Sequence, residues 1–182
     1  MTPKESALLQ SLADREAIRE CLYRYCRGID RLDADALRSA YWPDGTDRHG
    51  PYNGSAQGFI DWALGKLPGA GRMIHMIGNI SIELRGDQAA VESYFQAYQA
   101  ERGAQGQPQA TFLCGRYVDR FERRGDEWRV AARTVIYDWL DQSPMPPGNE
   151  AERFGPRLPQ GGRKPDDALY ALLSQAPFNA PR

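Results

Sequence analysis

The sequence predicts an α+β fold in which helices come first and a curved, mostly antiparallel sheet follows. Apolar residues recur at three- and four-residue steps as far as residue 67, and the period then changes to alternation. Turn signals divide the alternating half at hairpin spacing. Helices followed by a run of hairpins place the helices on one face of the sheet.

The first helix is read over residues 5–29, where Leu8, Leu12, Ile18, Leu22, Tyr25 and Ile29 share a face. Gly28 weakens its last turn, and Asp33 is positioned to cap a shorter helix through Leu37, Ala40 and Tyr41 that Pro43 stops. Asp30 then stands at the corner of a helical hairpin. Residues 43–54 are rich in turn signals, with Asp44-Gly45 and Asn53-Gly54, and read as loop. Ser55 can cap a third helix carrying Phe59, Trp62, Ala63 and Leu67, which Leu67-Pro68-Gly69 ends.

Four long strands are expected after that: 72–84 and 88–100 around Gly86-Asp87, then 110–122 and 128–140 around Arg124-Gly125-Asp126, with a polar loop at 103–108. Residues 141–182 are too rich in proline and glycine for a strand or long helix. Their Phe154, Leu158, Leu169, Tyr170, Leu172 and Phe178 are too apolar for a solvated linker, so this tail is expected to pack back through them, with a short helix at 166–173. The organisation read is one domain, residues 1–140, with 141–182 as a tail on it.

Lys and Arg number 23 against 24 Asp and Glu, a net charge of -1, so no bulk field gathers nucleic acid or an anionic membrane. The first residues lack a secretory layout, and no apolar run approaches the roughly 20 residues of a membrane span. A cytoplasmic protein is expected. Cys21, Cys26 and Cys114 are odd in number and lack metal-ligand spacing, so they read as reduced thiols with no zinc site.

The helix end Tyr25-Cys26-Arg27-Gly28-Ile29-Asp30, the strand segment His75-Met76-Ile77-Gly78-Asn79, and the pair Gly115-Arg116-Tyr117 and Asp119-Arg120-Phe121 resemble one known family. It is the SnoaL-like branch of the nuclear transport factor 2 superfamily, which includes scytalone dehydratase, hexachlorocyclohexane dehydrochlorinase and other lyases of aromatic catabolism. The resemblance spans roughly residues 13–140. It implies a cone-shaped, cystatin-like sheet closed by helices, and a reaction without cofactor or metal. In the dehydratase and dehydrochlorinase an aspartate ending the first helix orients a histidine base on the first long strand, and Asp30 and His75 fill those positions. A last-strand arginine that assists the leaving group is matched by Arg133. Where the dehydrochlorinase has a lysine this chain has Tyr25, which points away from dehalogenation and toward a phenol-assisted reaction.

The residues themselves support that chemistry. A neutral imidazole is the side chain best suited to take a proton near neutral pH, and a carboxylate behind it fixes the tautomer and stabilises the imidazolium. His75 lies in an apolar strand and needs a partner. Asp30 is the expected one; a backbone carbonyl, with Asp30 serving only as a helix cap, is the competing reading. Strict alternation puts His75 with Asn79, Ser81 and Glu83 on the more polar face, so an inward ring requires a bulge near Gly78. His49, in a Gly/Pro-rich stretch, reads as a surface residue. Arg133 and Tyr25 complete the expected catalytic set, and Tyr117, Arg116, Trp62, Trp139 and Tyr137 are the expected substrate-binding side chains.

The function expected is a cofactor-independent lyase, by dehydration or retro-aldol cleavage, acting on a small hydrophobic or aromatic compound. An isomerase or cyclase using the same dyad, and a non-catalytic binding or scaffold subunit, are the alternatives. The open side of the sheet is the expected surface for a homo-oligomer, a dimer or trimer.

Overall fold

A computed structural model of the chain describes residues 1–146 and 150–175. Helix α1 (Pro3–Arg31) starts from a capping box between Thr2 and Glu5, and α2 (Ala34–Ser39) is capped by the Asp33 carboxylate on the Ala36 N–H. Strands β1 (Tyr41–His49) and β2 (Tyr52–Ser55) form a short hairpin, and Ser55 caps α3 (Ala56–Lys66), which ends in a 3₁₀ turn at Leu67–Gly69. The long strands are β3 (Met73–Arg85), β4 (Gln88–Arg102), β5 (Pro108–Arg124) and β6 (Glu127–Pro144). Two short helices, α4 (Glu150–Phe154) and α5 (Ala168–Ser174), lie in the tail.

The α+β class holds, with the helices packed against one six-stranded sheet of order β2-β1-β6-β5-β4-β3. Every neighbouring pair is antiparallel except β1 and β6, which run parallel. The core fills the space between the concave face and the helices, from Ile18 and Leu22 of α1 through Phe59 of α3 to Phe121 and Val130 of the sheet. Gly28 has a reason to be where it weakens a helix. A Cβ there would meet the Leu37 backbone at 2.7 Å, so the absence of a side chain lets α2 pack on α1, against a helix-propensity cost of about 1 kcal/mol.

Residues 43–54, read as loop, lie within the β1–β2 hairpin, whose strands are Tyr41–His49 and Tyr52–Ser55. Pro43, Asp44 and Gly45 fall in an irregularity of the β1–β6 ladder, where the register jumps from Tyr41↔Val130 to Thr46↔Ala132. Proline is tolerated there because it has no ladder hydrogen bond to lose. The inward residue of β1 is the buried Asp47, so apolar alternation could not reveal the strand. Helix α2 accordingly ends at Ser39, before Tyr41. Strand β6 also runs four residues past the expected end, its Asp141, Gln142 and Ser143 paired to β5.

Two apolar surfaces differ from expectation. Leu8, Leu9 and Leu12 are exposed, because the first turns of α1 project past the sheet and the first buried residue of the helix is Asp14. The contacts between the tail and the domain are polar rather than apolar. Phe154, Leu158, Leu172 and Leu173 are exposed. The Arg163 guanidinium donates to the carbonyls of Leu67, Pro68 and Ala70, and Lys164 pairs with Asp33 and Asp35. The Tyr170 phenol donates to Asp33, and Arg31 pairs with Asp167. These groups strap the tail onto the α1–α2 corner. Phe178 lies outside the described residues.

Candidate functional site

That corner presents Asp30, the penultimate residue of α1, to the start of β3. One carboxylate oxygen accepts the His75 backbone N–H at 2.9 Å, and the other lies 2.7 Å from the ring Nδ1. A carboxylate only accepts, so Nδ1 carries the proton in this contact and the lone pair of the neutral ring resides on Nε2. Two bonds to one residue fix both the strand and the ring. The side chains of His75 and Asp30 are 13% and 8% exposed, which leaves the pair shielded yet reachable.

His75 faces inward because of a bulge. The β3–β4 register shifts between Gly78 and Ser81, and Asn79 takes a left-handed φ of 49°. Met73, His75 and Ile77 point inward before it, and Ile80, Ile82 and Leu84 after it, so one extra residue reconciles the polar and apolar faces. A cleft of about 360 Å³ opens over the pair, lined by Cys26, Arg27, Ile77 and the tail residues Asp167 and Leu169 among others. A second cleft, of about 680 Å³, begins at Asp30 and runs between the 3₁₀ turn and the tail. Burial and then the nearby Asp30 charge push the Cys26 thiol up to about 12, so the wall beside the dyad carries a neutral thiol and no thiolate nucleophile.

The other expected catalytic groups lie elsewhere. Arg133 is 2% exposed and makes a two-pronged ion pair with Asp119 at 2.8 and 2.7 Å. Its guanidinium is sandwiched between Tyr25 and Tyr117, each ring centroid 4.1 Å away. Burial alone would disfavour the cation, but the Asp119 charge and hydrogen bonds outweigh it and keep Arg133 protonated. With Asp119 on its edge and a ring on each face, Arg133 has no free side for a leaving group. Tyr25 is buried with it, edge-on to Tyr41 and Tyr117, and burial lifts its phenol far above the ordinary range. The expected proton donor is thus a piece of core. Tyr117 likewise packs flat on Phe95 at 4.6 Å.

Arg116 lies on the opposite face of the sheet, ion-paired to Glu92 and Asp138 at 2.9 Å each. Its apolar neighbours in sequence hid those partners, which come from β4 and β6. Trp62 packs on Phe59 and Tyr52 under the Lys66 ammonium, and Trp139 is exposed. Tyr137 is half-exposed and reaches inward to the Phe95 ring. His49 is the residue that sequence reasoning missed. It ends β1 on the same side as Asp47 with its ring stacked on Phe59 at 4.6 Å, and it is not a loop residue. The two-residue spacing of Asp47 and His49 was the available signal.

Among the described residues no group of three His, Cys, Asp or Glu side chains is placed to hold a metal ion, and no helix is long and apolar enough to cross a membrane.

Comparisons with known proteins agree with this architecture. Residues 10–134 match a family described as the SnoaL-like domain. A hexachlorocyclohexane dehydrochlorinase structure is similar at 21% identity with a TM-score of 0.69, covering 78% of this chain and 99% of the other. A putative scytalone dehydratase from Novosphingobium aromaticivorans is similar at 19% identity and TM-score 0.63, covering 76% and 93%. The beta subunit of a putative aromatic-ring-hydroxylating dioxygenase from the same organism is similar at 23% identity and TM-score 0.55, covering 72% and 93%. At these identities the likeness is one of fold. No curated protein matches the chain.

Proposed function

The chain belongs to the SnoaL-like domain family, and from that premise we propose that it is a cofactor-independent lyase acting on a small hydrophobic, aromatic compound, with His75 as general base and Asp30 behind it. The observation that carries the reading is the Asp30–His75 contact of 2.7 Å beneath an open cleft. Asp30 holds the imidazole with Nε2 free, and a positive charge forming on the ring is stabilised by the carboxylate at Nδ1. In a dehydration Nε2 removes a proton from carbon, the electron pair forms the double bond, and the C–O bond breaks to an oxygen that leaves as water once it takes a proton. In a retro-aldol cleavage Nε2 removes the hydroxyl proton, the oxygen pair forms the carbonyl, and the C–C bond breaks to an enolate that is then protonated. Positioned general bases contribute about 10²–10⁴-fold.

Arg133 and Tyr25 act in this reading by holding the chamber wall rather than by touching substrate. The convex face, where Ile74, Met76, Tyr94 and Trp139 are exposed around the ion-paired Arg116, serves self-association as a dimer or trimer, which sedimentation of the purified chain checks.

The test is a screen of small aromatic alcohols and ketols followed by mass spectrometry, with His75→Ala as control. Loss of water or of a carbonyl fragment by the native chain, abolished by His75→Ala without loss of fold, is the expected result. Turnover that survives His75→Ala sinks the base assignment. A second reading is favoured by the similar beta subunit of a putative aromatic-ring-hydroxylating dioxygenase, a chain of the same fold that is one subunit of an assembly. In that case the chain binds a partner and turns over nothing, and its behaviour is indifferent to His75.

A further inference from the structure

Three polar atoms on the concave side are buried without partners: Oδ1 of Asp47, Nδ1 of His49 and the hydroxyl of Ser93. The first two face each other at 3.5 Å. Asp47 is 1% exposed, and its other oxygen accepts the Tyr41 phenol at 2.5 Å. The same phenol lies 3.5 Å from Arg133, whose guanidinium is held by Asp119. Asp47 thus reaches the Arg133–Asp119 pair through the Tyr41 phenol. In its protonated form the ring offers Nδ1–H to the free Asp47 oxygen and Nε2–H to the chamber.

The ring is also held in place. Phe59 stacks on one face and Tyr137 meets it edgewise at 6.2 Å. The His49 side chain is 19% exposed, and its Nε2 has no hydrogen-bond partner among the described residues. The wall leading from it toward the dyad is aromatic. Tyr137 lies 6.2 Å from Phe95, and Phe95 pairs across the strands with Ile77, which lines the cleft beside His75. Burial and then the Asp47 charge push the Tyr137 phenol up to about 12, so it stays protonated beside the ring.

The geometry points to Asp47 and His49 as a second acid–base couple of the chamber, with His49 delivering a proton to the departing oxygen and Asp47 positioning its ring. This rests on His75 being the base. In a dehydration the C–H bond breaks to His75, its electron pair forms the double bond, and the C–O bond breaks with its electrons going to oxygen. That oxygen takes the proton from His49 Nε2 and leaves as water. His75 ends protonated and His49 neutral, and exchange with solvent restores both. A base alone would leave hydroxide as the departing group; the second couple removes that need.

The chain has only two histidines, so NMR of the full chain labelled with ¹⁵N-histidine reads both couples directly. Asp47 faces the His49 ring at Nδ1, Phe59 of α3 and Tyr137 of β6 pack against it, and Tyr41 holds the far oxygen of Asp47. The resonance absent from His49→Gln should move in Asp47→Asn, since an amide then replaces the carboxylate that faces Nδ1 at 3.5 Å, and should ignore Asp30→Asn. A His49 resonance indifferent to Asp47→Asn overturns the couple.

The ligand-bound arm uses 4-nitrophenol as the aromatic probe. The expected result is that it perturbs both imidazoles and binds about tenfold more weakly to His49→Gln, a loss of one hydrogen bond to a charged donor. A probe that perturbs His75 alone overturns the role of His49 and leaves the base standing. Perturbation of His49 alone removes His75 from the site, and a probe that moves neither overturns both.

Discussion

Two aspartates, each paired with a nitrogen-bearing side chain, meet opposite fates in this molecule. Asp119 and Arg133 sit in the core with every strong donor engaged and an aromatic ring on each face of the guanidinium. Asp30 and His75 sit at the edge of the sheet, also paired at 2.7 Å, but one ring nitrogen is left over and a cleft opens above it. The contrast teaches that burial and charge do not mark a reactive site by themselves. What the proposed site adds is a fixed polar group with one hydrogen-bonding position unfilled.

The contrast is broken most directly at Arg133. Arg133→Met strands the Asp119 carboxylate in the core, and removing one partner of a buried pair costs about 3–5 kcal/mol. Equilibrium denaturant unfolding should show that loss, and Asp119→Leu added to Arg133→Met should restore most of it, because two apolar side chains replace a balanced pair. If Arg133→Met is nearly neutral, the pair is not the closed structural element described here.

At the open pair the effect moves from stability to turnover. Asp30→Asn keeps an acceptor for the His75 backbone N–H but removes the charge that stabilises an imidazolium. Turnover of a substrate found by the mass screen should fall about 10²-fold or more, while unfolding shifts by no more than about 1.5–3 kcal/mol, the range for a hydrogen bond to a charged group. A variant that unfolds as badly as Arg133→Met would erase the distinction between the two pairs.

A smaller effect sharpens the same point at Tyr41, whose phenol is the one strong donor that Asp47 receives. Tyr41→Phe leaves both Asp47 oxygens unsatisfied, at a cost of about 1–3 kcal/mol. The variant should also move the ¹⁵N signal of His49, since Asp47 then has only that ring to turn to, and leave the signal of His75 in place.

Much of the fold was legible because apolar period and turn chemistry agree along the chain. The caps at Asp33 and Ser55 and the hairpins at Gly86 and Gly125 lie where the sequence puts them. The β1–β2 hairpin was hidden for a physical reason: its inward side chain is Asp47, and its proline occupies a gap in the ladder. The Asp30–His75 contact followed from residue types plus the resemblance, and the bulge at Asn79 that turns His75 inward was foreseeable only as a geometric need. The fate of Arg133 was not legible, because its partners come from two other elements, Tyr25 from α1 and Tyr117 and Asp119 from β5, and the facing of β5 and β6 depends on bulges between them. The tail misled for the opposite reason. Its apolar residues caught the eye, while Arg163, Lys164 and Tyr170 make the contacts.

Those polar contacts give the last and smallest test, since they set the wall of the open pair without touching the closed one. Burial works against the Asp33 carboxylate, but hydrogen bonds from Lys164, the Ala36 N–H and Tyr170 outweigh it and hold its pKa below the ordinary range. The backbone N–H groups of Gly162 and Leu169 lower Asp167 in the same way. A depressed carboxyl pKa stabilises docking fully above the undocked value of about 3.9, and the contribution disappears as pH falls through the lower, docked value. Hydrogen exchange should therefore show residues 162–170 protected at neutral pH and opening below about pH 4 while β4 and β5 stay closed. Lys164→Ala should weaken that protection already at neutral pH and widen access to the cleft over His75 without changing the unfolding of the core. Equal protection of the tail in both proteins would mean that the Asp167 and Arg163 contacts alone hold the strap, and Lys164 would lose its part in shaping the site.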